Sequence, residues 1–142
     1  MSPITLRVEP DPAKADMDEL HQRLHAYNVR FMGDYDHRPF LITACDDHGS
    51  PVAGITGTTM LNALLIDVLF TDEAQRGQGL ASQLLAAAEE LGRTRGCDQA
   101  QLGTLGFQAL PFYQRHGYAI VGEVPNFPPG FTQYFLLKSL LG

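Results

Sequence analysis

A short glycine-rich stretch, Arg76-Gly77-Gln78-Gly79-Leu80-Ala81, has the composition of an anion-binding turn. It follows an apolar segment and precedes a run of leucines at helical spacing, so it predicts the junction between a strand and a helix. The first N–H groups of a helix have no partner within the helix, and its dipole is positive at that end. Glycines let the backbone approach a ligand closely. The stretch therefore predicts a site for a phosphate or pyrophosphate group.

Asp67 is a single carboxylate within an otherwise apolar predicted strand, Ala63–Thr71. Charged side chains are rarely buried without a partner or a task, so we consider Asp67 a candidate general base. Two ordinary alternatives stay open, namely an Asp paired with an arginine and an Asp turned to solvent at an opening of the sheet.

The histidines and cysteines predict no metal site. His21 and His25 lie four residues apart, but the segment between them lacks the glutamate of a zinc protease motif. Cys45 and Cys97 are far apart and form neither a disulfide framework nor a metal-binding spacing. Cysteine use of this kind favours a reducing, cytoplasmic location.

Length and composition predict one soluble domain, residues 1–142, with 44% hydrophobic and 18% charged residues. The formal net charge of −6 argues against a nucleic-acid partner, which requires clustered lysines and arginines. No apolar run approaches the ~20 residues of a membrane span, and the N-terminus lacks a signal-peptide pattern. We therefore expect neither a membrane nor a nucleic acid as a partner.

Periodicity and turn residues predict an α/β (mixed α+β) fold. Helices are expected at 16–32, 80–95 and 108–116. Strands are expected at Ile4–Val8, Phe40–Cys45, Val52–Met60, Ala63–Thr71, Cys97–Leu102, Tyr118–Val124 and Thr132–Leu140. A meander followed by a strand–helix–strand unit predicts a mixed, mostly antiparallel sheet of about six to seven strands, flanked by helices on both faces. The strand at Ala63–Thr71 is expected to be central and covered on both faces.

Two motifs resemble those of the GNAT superfamily of acetyltransferases. Arg76, Gly79 and Ala81 match the fixed places of the pattern Q/R-x-x-G-x-G/A, which binds the coenzyme A pyrophosphate. Ala109, Tyr113 and Gly117-Tyr118 match a second pattern, A-x-x-x-Y-x-x-x-G-[FY]. The resemblance covers roughly residues 40 to 140 and implies a single GNAT domain of the small bacterial type.

The resemblance implies an N-acetyltransferase that transfers an acetyl group from acetyl-CoA to a primary amine by direct attack in a ternary complex. The acceptor would be a small-molecule or peptide amine, no metal is needed, and a homodimer is common for this fold. Tyr113 would be the general acid that protonates the departing thiolate. Asp67 would be the base, and a backbone N–H of Leu69 or Thr71 would stabilise the oxyanion.

Further site residues follow from the same resemblance. Those expected to hold the coenzyme are Leu69, Phe70, Thr71, Arg76, Gly77, Gln78, Gly79, Leu80, Ala81, Ser82, Gln108 and Phe112. Those expected on the acceptor side are Tyr27, Asn28, Tyr35 and Phe127. Gly106 departs from the family, where an Asn often stands, so Thr104 or Gln108 is expected to replace its contact with the coenzyme.

Two other functions remain open. The same fold could serve as a non-catalytic acyl-CoA-binding sensor or interaction module, because fold alone does not establish function. A dinucleotide-dependent oxidoreductase is the second, since Gly77-x-Gly79-x-x-Ser82 approximates its fingerprint and Asp98 lies about 20 residues further on. The third glycine of that fingerprint is absent, and the segment Thr71–Arg76 is long for its tight turn.

Overall fold

The computed structural model describes residues 2–142, which divide into two compact units, the first ending at Tyr35 and the second spanning Asp36–Gly142. The N-terminal unit contains helix α1 (Lys14–Met32), which ends as predicted at Gly33. The predicted strand at Ile4–Val8 is wrong: these residues form no strand, and the side chains of Ile4, Leu6 and Val8 are 94%, 95% and 89% exposed. Alternation creates a strand only where a neighbouring strand pairs with the backbone, and this segment has no such pairing.

The second unit holds one six-stranded sheet and two helices. Its strands are β1 (His37–Cys45), β2 (Pro51–Met60), β3 (Ala63–Thr71), β4 (Gln99–Leu105), β5 (Ala119–Pro125) and β6 (Thr132–Ser139). Its helices are α2 (Leu80–Thr94) and α3 (Leu110–Arg115). The strand order is β1-β2-β3-β4-β6-β5, and every pairing is antiparallel except β3 with β4. The prediction of a mixed, mostly antiparallel sheet is confirmed.

The core of this unit forms between the sheet and the apolar stripe of α2. Leu84, Leu85 and Ala88 of α2 pack with strand residues such as Leu64 and Leu136, all fully or nearly fully buried. Tyr113 of α3 belongs to the same cluster. Because α2 and α3 share one core, both helices are held in fixed positions against the sheet. No helix within residues 2–142 combines the length and apolar composition needed to cross a bilayer.

A β-bulge interrupts the pairing of β2 with β3. Thr56 pairs with Val68 and Gly57 pairs with Ile66, so Asp67 is the extra residue without a partner on β2. The bulge shifts the alternation of β3: Leu64 and Ile66 face the core before it, and Leu69 packs against the core after it. A bulge of this kind bends the strand that carries it.

Strand β3 consequently leaves β4 soon after the two strands meet. They pair only from Ala63 to Leu65, opposite Gln99–Gln101. Beyond the bulge, Val68 and Phe70 are 50% and 54% exposed, so the expectation that β3 is covered on both faces is wrong for its second half. The two strand ends therefore frame an opening in the sheet.

Gly57 allows the close approach on which the bulge depends. A Cβ at this position would lie 2.0 Å from the backbone oxygen of Leu65 and 3.0 Å from Cε1 of Phe40. Neither the strand backbone nor the buried ring of Phe40 can move away without disturbing the sheet.

We expect Gly57→Ala to destabilise the protein by at least about 3 kcal/mol, because the added methyl group overlaps a strand backbone. Gly54→Ala on the same strand is the matched control, since its Cβ would meet Ile42 O at 3.4 Å and Thr43 Cγ2 at 3.5 Å. Urea unfolding followed by circular dichroism measures both variants. Equal effects of the two substitutions would contradict a tight contact at the bulge.

A buried ionic group joins α2 to the last two strands. Glu89 accepts a hydrogen bond from the Tyr118 hydroxyl at 2.7 Å and from Lys138 Nζ at 2.8 and 3.1 Å. Lys138 Nζ also lies 5.6 Å from the centroid of the Tyr118 ring. Burial, and then the bond to Glu89, raise the pKa of Tyr118 well above its ordinary value, so this hydroxyl remains a donor. The group holds α2 in place against the sheet.

A double-mutant cycle tests this group. Lys138→Met leaves the Glu89 carboxylate without its counter-charge, and we expect a loss of about 3 kcal/mol. Glu89→Gln is the second single variant, and the double variant Glu89→Gln/Lys138→Met removes both charges at similar volume. We expect the double variant to be at least about 1 kcal/mol more stable than the summed losses of the two single variants predict. Strictly additive losses in urea unfolding would show that the two charges do not interact.

Candidate active site

The opening between the diverging ends of β3 and β4 is a cleft of about 840 Å³. Its walls are the second half of β3, the glycine turn with the start of α2, the end of β4, and α3. The following residues, predicted from the sequence as site residues, line the cleft: Asp67, Leu69, Phe70, Thr71, Arg76, Gly77, Gly79, Leu80, Ala81, Ser82, Thr104, Gln108, Phe112 and Tyr113. Residues far apart in the chain thus meet around one space.

The glycine turn ends in the N-terminus of α2, as predicted. Gly77 and Gly79 adopt left-handed conformations with φ of +82° and +78°, which other residues rarely tolerate. The first helical hydrogen bond runs from the N–H of Gln83 to the carbonyl of Gly79 at 3.1 Å. The N–H groups of Leu80, Ala81 and Ser82 precede it, so they belong to the unpaired donors of a helix start. Together with the helix dipole they favour an anion here.

Two arginines add positive charge to the cleft. Arg76 Nε donates to the Thr71 carbonyl at 3.1 Å, and the Arg76 guanidinium lies 6.0 Å from the centroid of the Phe70 ring. These contacts hold the side chain across the end of β3. Arg115 of α3 also lines the cleft. Arg115 was not predicted from the sequence, because side chains two residues apart on a helix, such as those of Tyr113 and Arg115, do not share a face.

The second half of β3 presents backbone donors toward the opening. Asp72 N–H donates to the Val52 carbonyl at 2.8 Å, so the N–H of Asp72 points toward β2. Successive residues of a strand alternate in direction, so the N–H groups of Leu69 and Thr71 point away from β2. They face the gap left by β4.

Tyr113 presents a phenol to the cleft from within the core. Its side chain is 7% exposed, and its ring packs edge-on against Phe112 at 5.3 Å and Tyr118 at 5.8 Å between centroids. Burial raises the pKa of Tyr113 above its ordinary value. The hydroxyl is therefore protonated throughout the neutral range and able to donate a proton.

Asp67 lies at the bulge and is exposed, so our premise that it is buried is wrong. The bulge turns it out of the apolar alternation that the sequence suggested. It lines the same cleft as Tyr113, and the other charged lining residues are arginines. Among the described residues, Asp67 therefore supplies the negative charge of the cleft wall.

Gly106, directly after β4, packs closely against the backbone of Thr132 at the start of β6. Its N–H donates to the Thr132 carbonyl at 2.8 Å, and a Cβ there would lie 3.3 Å from that same oxygen. Thr104 and Gln108, the predicted replacements, both line the cleft and lie 3.3 Å apart between hydroxyl and amide oxygen. The Gln108 oxygen also accepts the N–H of Leu105 at 2.8 Å.

Several predicted site residues lie elsewhere. Gln78 does not line the cleft; its amide nitrogen donates to Gln75 Oε1 at 3.1 Å. Phe127 is also absent from the lining. Its loop approaches the cleft through Phe131, whose ring packs edge-on against the lining residue Phe107 at 4.9 Å. This aromatic pair was not predicted, because nothing in a single sequence links residues 107 and 131.

The predicted acceptor residues Tyr27, Asn28 and Tyr35 belong to the N-terminal unit. There the Asn28 amide donates to the Tyr35 hydroxyl at 3.4 Å, and the Tyr35 ring lies 4.5 Å from that of His25. Across residues 2–142, no three His, Cys, Asp or Glu side chains gather closely enough to hold a metal ion.

Known proteins resemble this chain over most of its length. Residues 5–118 match the family model described as acetyltransferase (GNAT) family. An acetyltransferase of Agrobacterium fabrum is 39% identical over 129 residues, which cover 90% of this chain and 94% of that protein. The blasticidin-S acetyltransferase of Streptomyces morookaense is 41% identical over 98 residues, or 68% of this chain and 72% of that protein.

The fold agrees with these matches. The crystal structure of an acetyltransferase from Bacillus cereus superimposes with a TM-score of 0.84 at 28% identity, covering 94% of this chain and 97% of that one. The family resemblance noted from the glycine turn and the tyrosine motif is thereby confirmed. The chain belongs to the GNAT family of acetyltransferases.

Proposed function

We propose that the cleft binds acetyl-CoA and transfers its acetyl group to the primary amine of a small molecule. The GNAT family uses acetyl-CoA. One observation supports the proposal above the others: the donors at the start of α2, the outward N–H groups of β3 and the Tyr113 phenol line a single cleft. Peptide amines are the alternative acceptors.

The coenzyme would lie along the cleft from the glycine turn toward the bulge. Its pyrophosphate would be held by the N–H groups at the start of α2, with Arg76 as counter-charge. Its pantetheine amides would pair with the backbone of Leu69–Thr71, as an added strand pairs with an open edge. The thioester would then lie where β3 and β4 separate, close to Asp67 and Tyr113.

Acetyl transfer requires an unprotonated amine, donors for the oxyanion and an acid for the thiolate. The amine nitrogen attacks the thioester carbon to form a tetrahedral intermediate, whose oxyanion is stabilised by the N–H of Leu69 or Thr71. The C–S bond then breaks and Tyr113 protonates the coenzyme sulfur. An acceptor that binds as an ammonium gives its first proton to Asp67, directly or through water, before the attack. The second proton leaves the nitrogen to solvent as the amide forms, and solvent restores Asp67 and Tyr113 to their starting protonation states.

The charge of the cleft favours a cationic acceptor. Asp67 on the cleft wall attracts an ammonium group, and the formal net charge of −6 attracts cations at longer range. The relative named blasticidin-S acetyltransferase supports a small-molecule amine as the acceptor class. Phe107, packed against Phe131, adds an apolar surface to the lining of the cleft.

Thiol release from acetyl-CoA, measured against polyamines, aminoglycosides, nucleoside antibiotics with amino groups, amino acids and peptides, tests the proposal. With an accepted amine, we expect Tyr113→Phe to lower kcat about 100-fold, because a general acid contributes that much or more. KM for acetyl-CoA should change little. Since the pKa of Tyr113 is raised, its acid form persists as the pH rises, and kcat should not fall on its account below about pH 10.

Tyr134→Phe is the matched control, because Tyr134 also packs against the core but does not line the cleft. It should retain nearly the activity of the unmodified protein.

Asp67→Asn should lower kcat/KM for the amine and leave KM for acetyl-CoA nearly unchanged. Undiminished activity in both Tyr113→Phe and Asp67→Asn would overturn the assigned roles, and coenzyme binding without thiol release for any amine would favour a sensor.

A further inference from the structure

A histidine outside the proposed chemistry contacts the anion-binding turn. His116, the residue after α3, lies with Nε2 3.0 Å from the Ser82 hydroxyl oxygen and Nδ1 2.8 Å from the Phe112 carbonyl oxygen. Both His116 and Ser82 are half-buried, and Ser82 lines the cleft in the first turn of α2. The imidazole therefore links the start of α2 to the end of α3.

The partners of the ring determine where its hydrogens lie. A carbonyl oxygen only accepts, so Nδ1 of His116 carries a hydrogen and donates it to Phe112. In neutral imidazole the other nitrogen is then an acceptor, and the Ser82 hydroxyl must donate to Nε2. In that state the serine hydrogen points at the histidine and presents only lone pairs to the cleft.

Protonation of His116 reverses this hydrogen bond. An imidazolium donates from both nitrogens, so Nε2–H donates to the Ser82 oxygen and the hydroxyl hydrogen is released. It can then rotate toward a ligand at the start of α2. A phosphate oxygen accepts hydrogen bonds and repels lone pairs, so the two protonation states differ in how well they receive it.

We propose that His116 is a positioning residue for the coenzyme: it turns the Ser82 hydroxyl toward the pyrophosphate when it is protonated and away when it is neutral. This inference rests on the proposed binding of coenzyme A at the glycine turn. Coenzyme binding is then coupled to the uptake of a proton, and affinity rises as the pH falls.

Other charged groups occur on α3, on α2 and the turn before it, and on β3. Arg115 adjoins it on α3, and Arg76 lies in the turn before α2. Farther along α2, Glu89 is engaged by Tyr118 and Lys138, and Glu90 lies 3.7 Å from Arg93. Asp67 lines the cleft from β3. Arginines keep their charge between pH 6 and 8, whereas histidine is the side chain that ordinarily changes charge there.

Calorimetric titration with dephospho-coenzyme A between about pH 6 and 7.5 tests the inference. This probe keeps the pyrophosphate but lacks the 3′-phosphate, whose own ionisation near pH 6 would otherwise change the affinity. We expect the unmodified protein to bind roughly fivefold more tightly at pH 6 than at pH 7.5, within the limit of tenfold per pH unit for one proton. Titrations in two buffers of different ionisation enthalpy should show fractional proton uptake.

Two variants separate the hydroxyl from other effects of the histidine. His116→Asn keeps a donor for the Phe112 carbonyl but cannot titrate, and it should bind with an affinity independent of pH. Ser82→Ala keeps His116 but removes the hydroxyl, and it should lose the pH dependence as well. Circular dichroism of each variant confirms that α2 and α3 remain folded.

The outcomes distinguish the role of His116 from the proposed binding of the coenzyme. If the unmodified protein binds the probe equally well at both pH values, or if Ser82→Ala keeps the pH dependence, the proposed role of His116 is overturned while coenzyme binding stands. If the unmodified protein fails to bind the probe at any pH, both this inference and the proposed function fail.

Discussion

The bulge at Asp67 is the constraint on which the cleft depends. Two strands that paired along their whole length would leave no space between β3 and β4. The extra residue opposite Gly57 bends β3 away after three parallel pairs, and the gap exposes backbone donors that a complete sheet would have used. The contact between Gly57 and the Leu65 carbonyl makes this bend part of the packed structure rather than a local irregularity.

Electrostatic features of different origin then meet in the gap. The start of α2 and the arginines of the turn and α3 provide positive charge, whereas Asp67 provides negative charge. The buried cluster of Glu89, Tyr118 and Lys138 holds α2 against the sheet and so fixes the direction of its dipole. Tyr113 occupies the same core, and its burial keeps the phenol protonated. The core therefore both positions the functional groups and sets their protonation.

Much of this architecture could be predicted from the sequence. The leucine stripe of α2, the glycines before it and the turns between β1, β2 and β3 have local signals, and the structure agrees within a few residues. The strand at Ile4–Val8 was wrong because alternation does not reveal whether a partner strand is present. The sequence left open whether Asp67 is buried or turned to solvent at an opening of the sheet. The structure shows it exposed at a bulge, and a bulge depends on the register between two strands, which the sequence of one strand does not specify. The pairs His116–Ser82 and Phe107–Phe131 join distant segments and became visible only in the fold.

We expect the cleft that opens at the bulge to hold acetyl-CoA from its pyrophosphate to its thioester. A crystal structure of the protein with acetyl-CoA tests this most directly. We expect the pyrophosphate to lie within hydrogen-bonding distance of the N–H groups of Leu80–Ser82, the pantetheine alongside Leu69–Thr71, and the sulfur next to the Tyr113 hydroxyl. A coenzyme bound outside this gap, or one whose sulfur lies far from Tyr113, would contradict it.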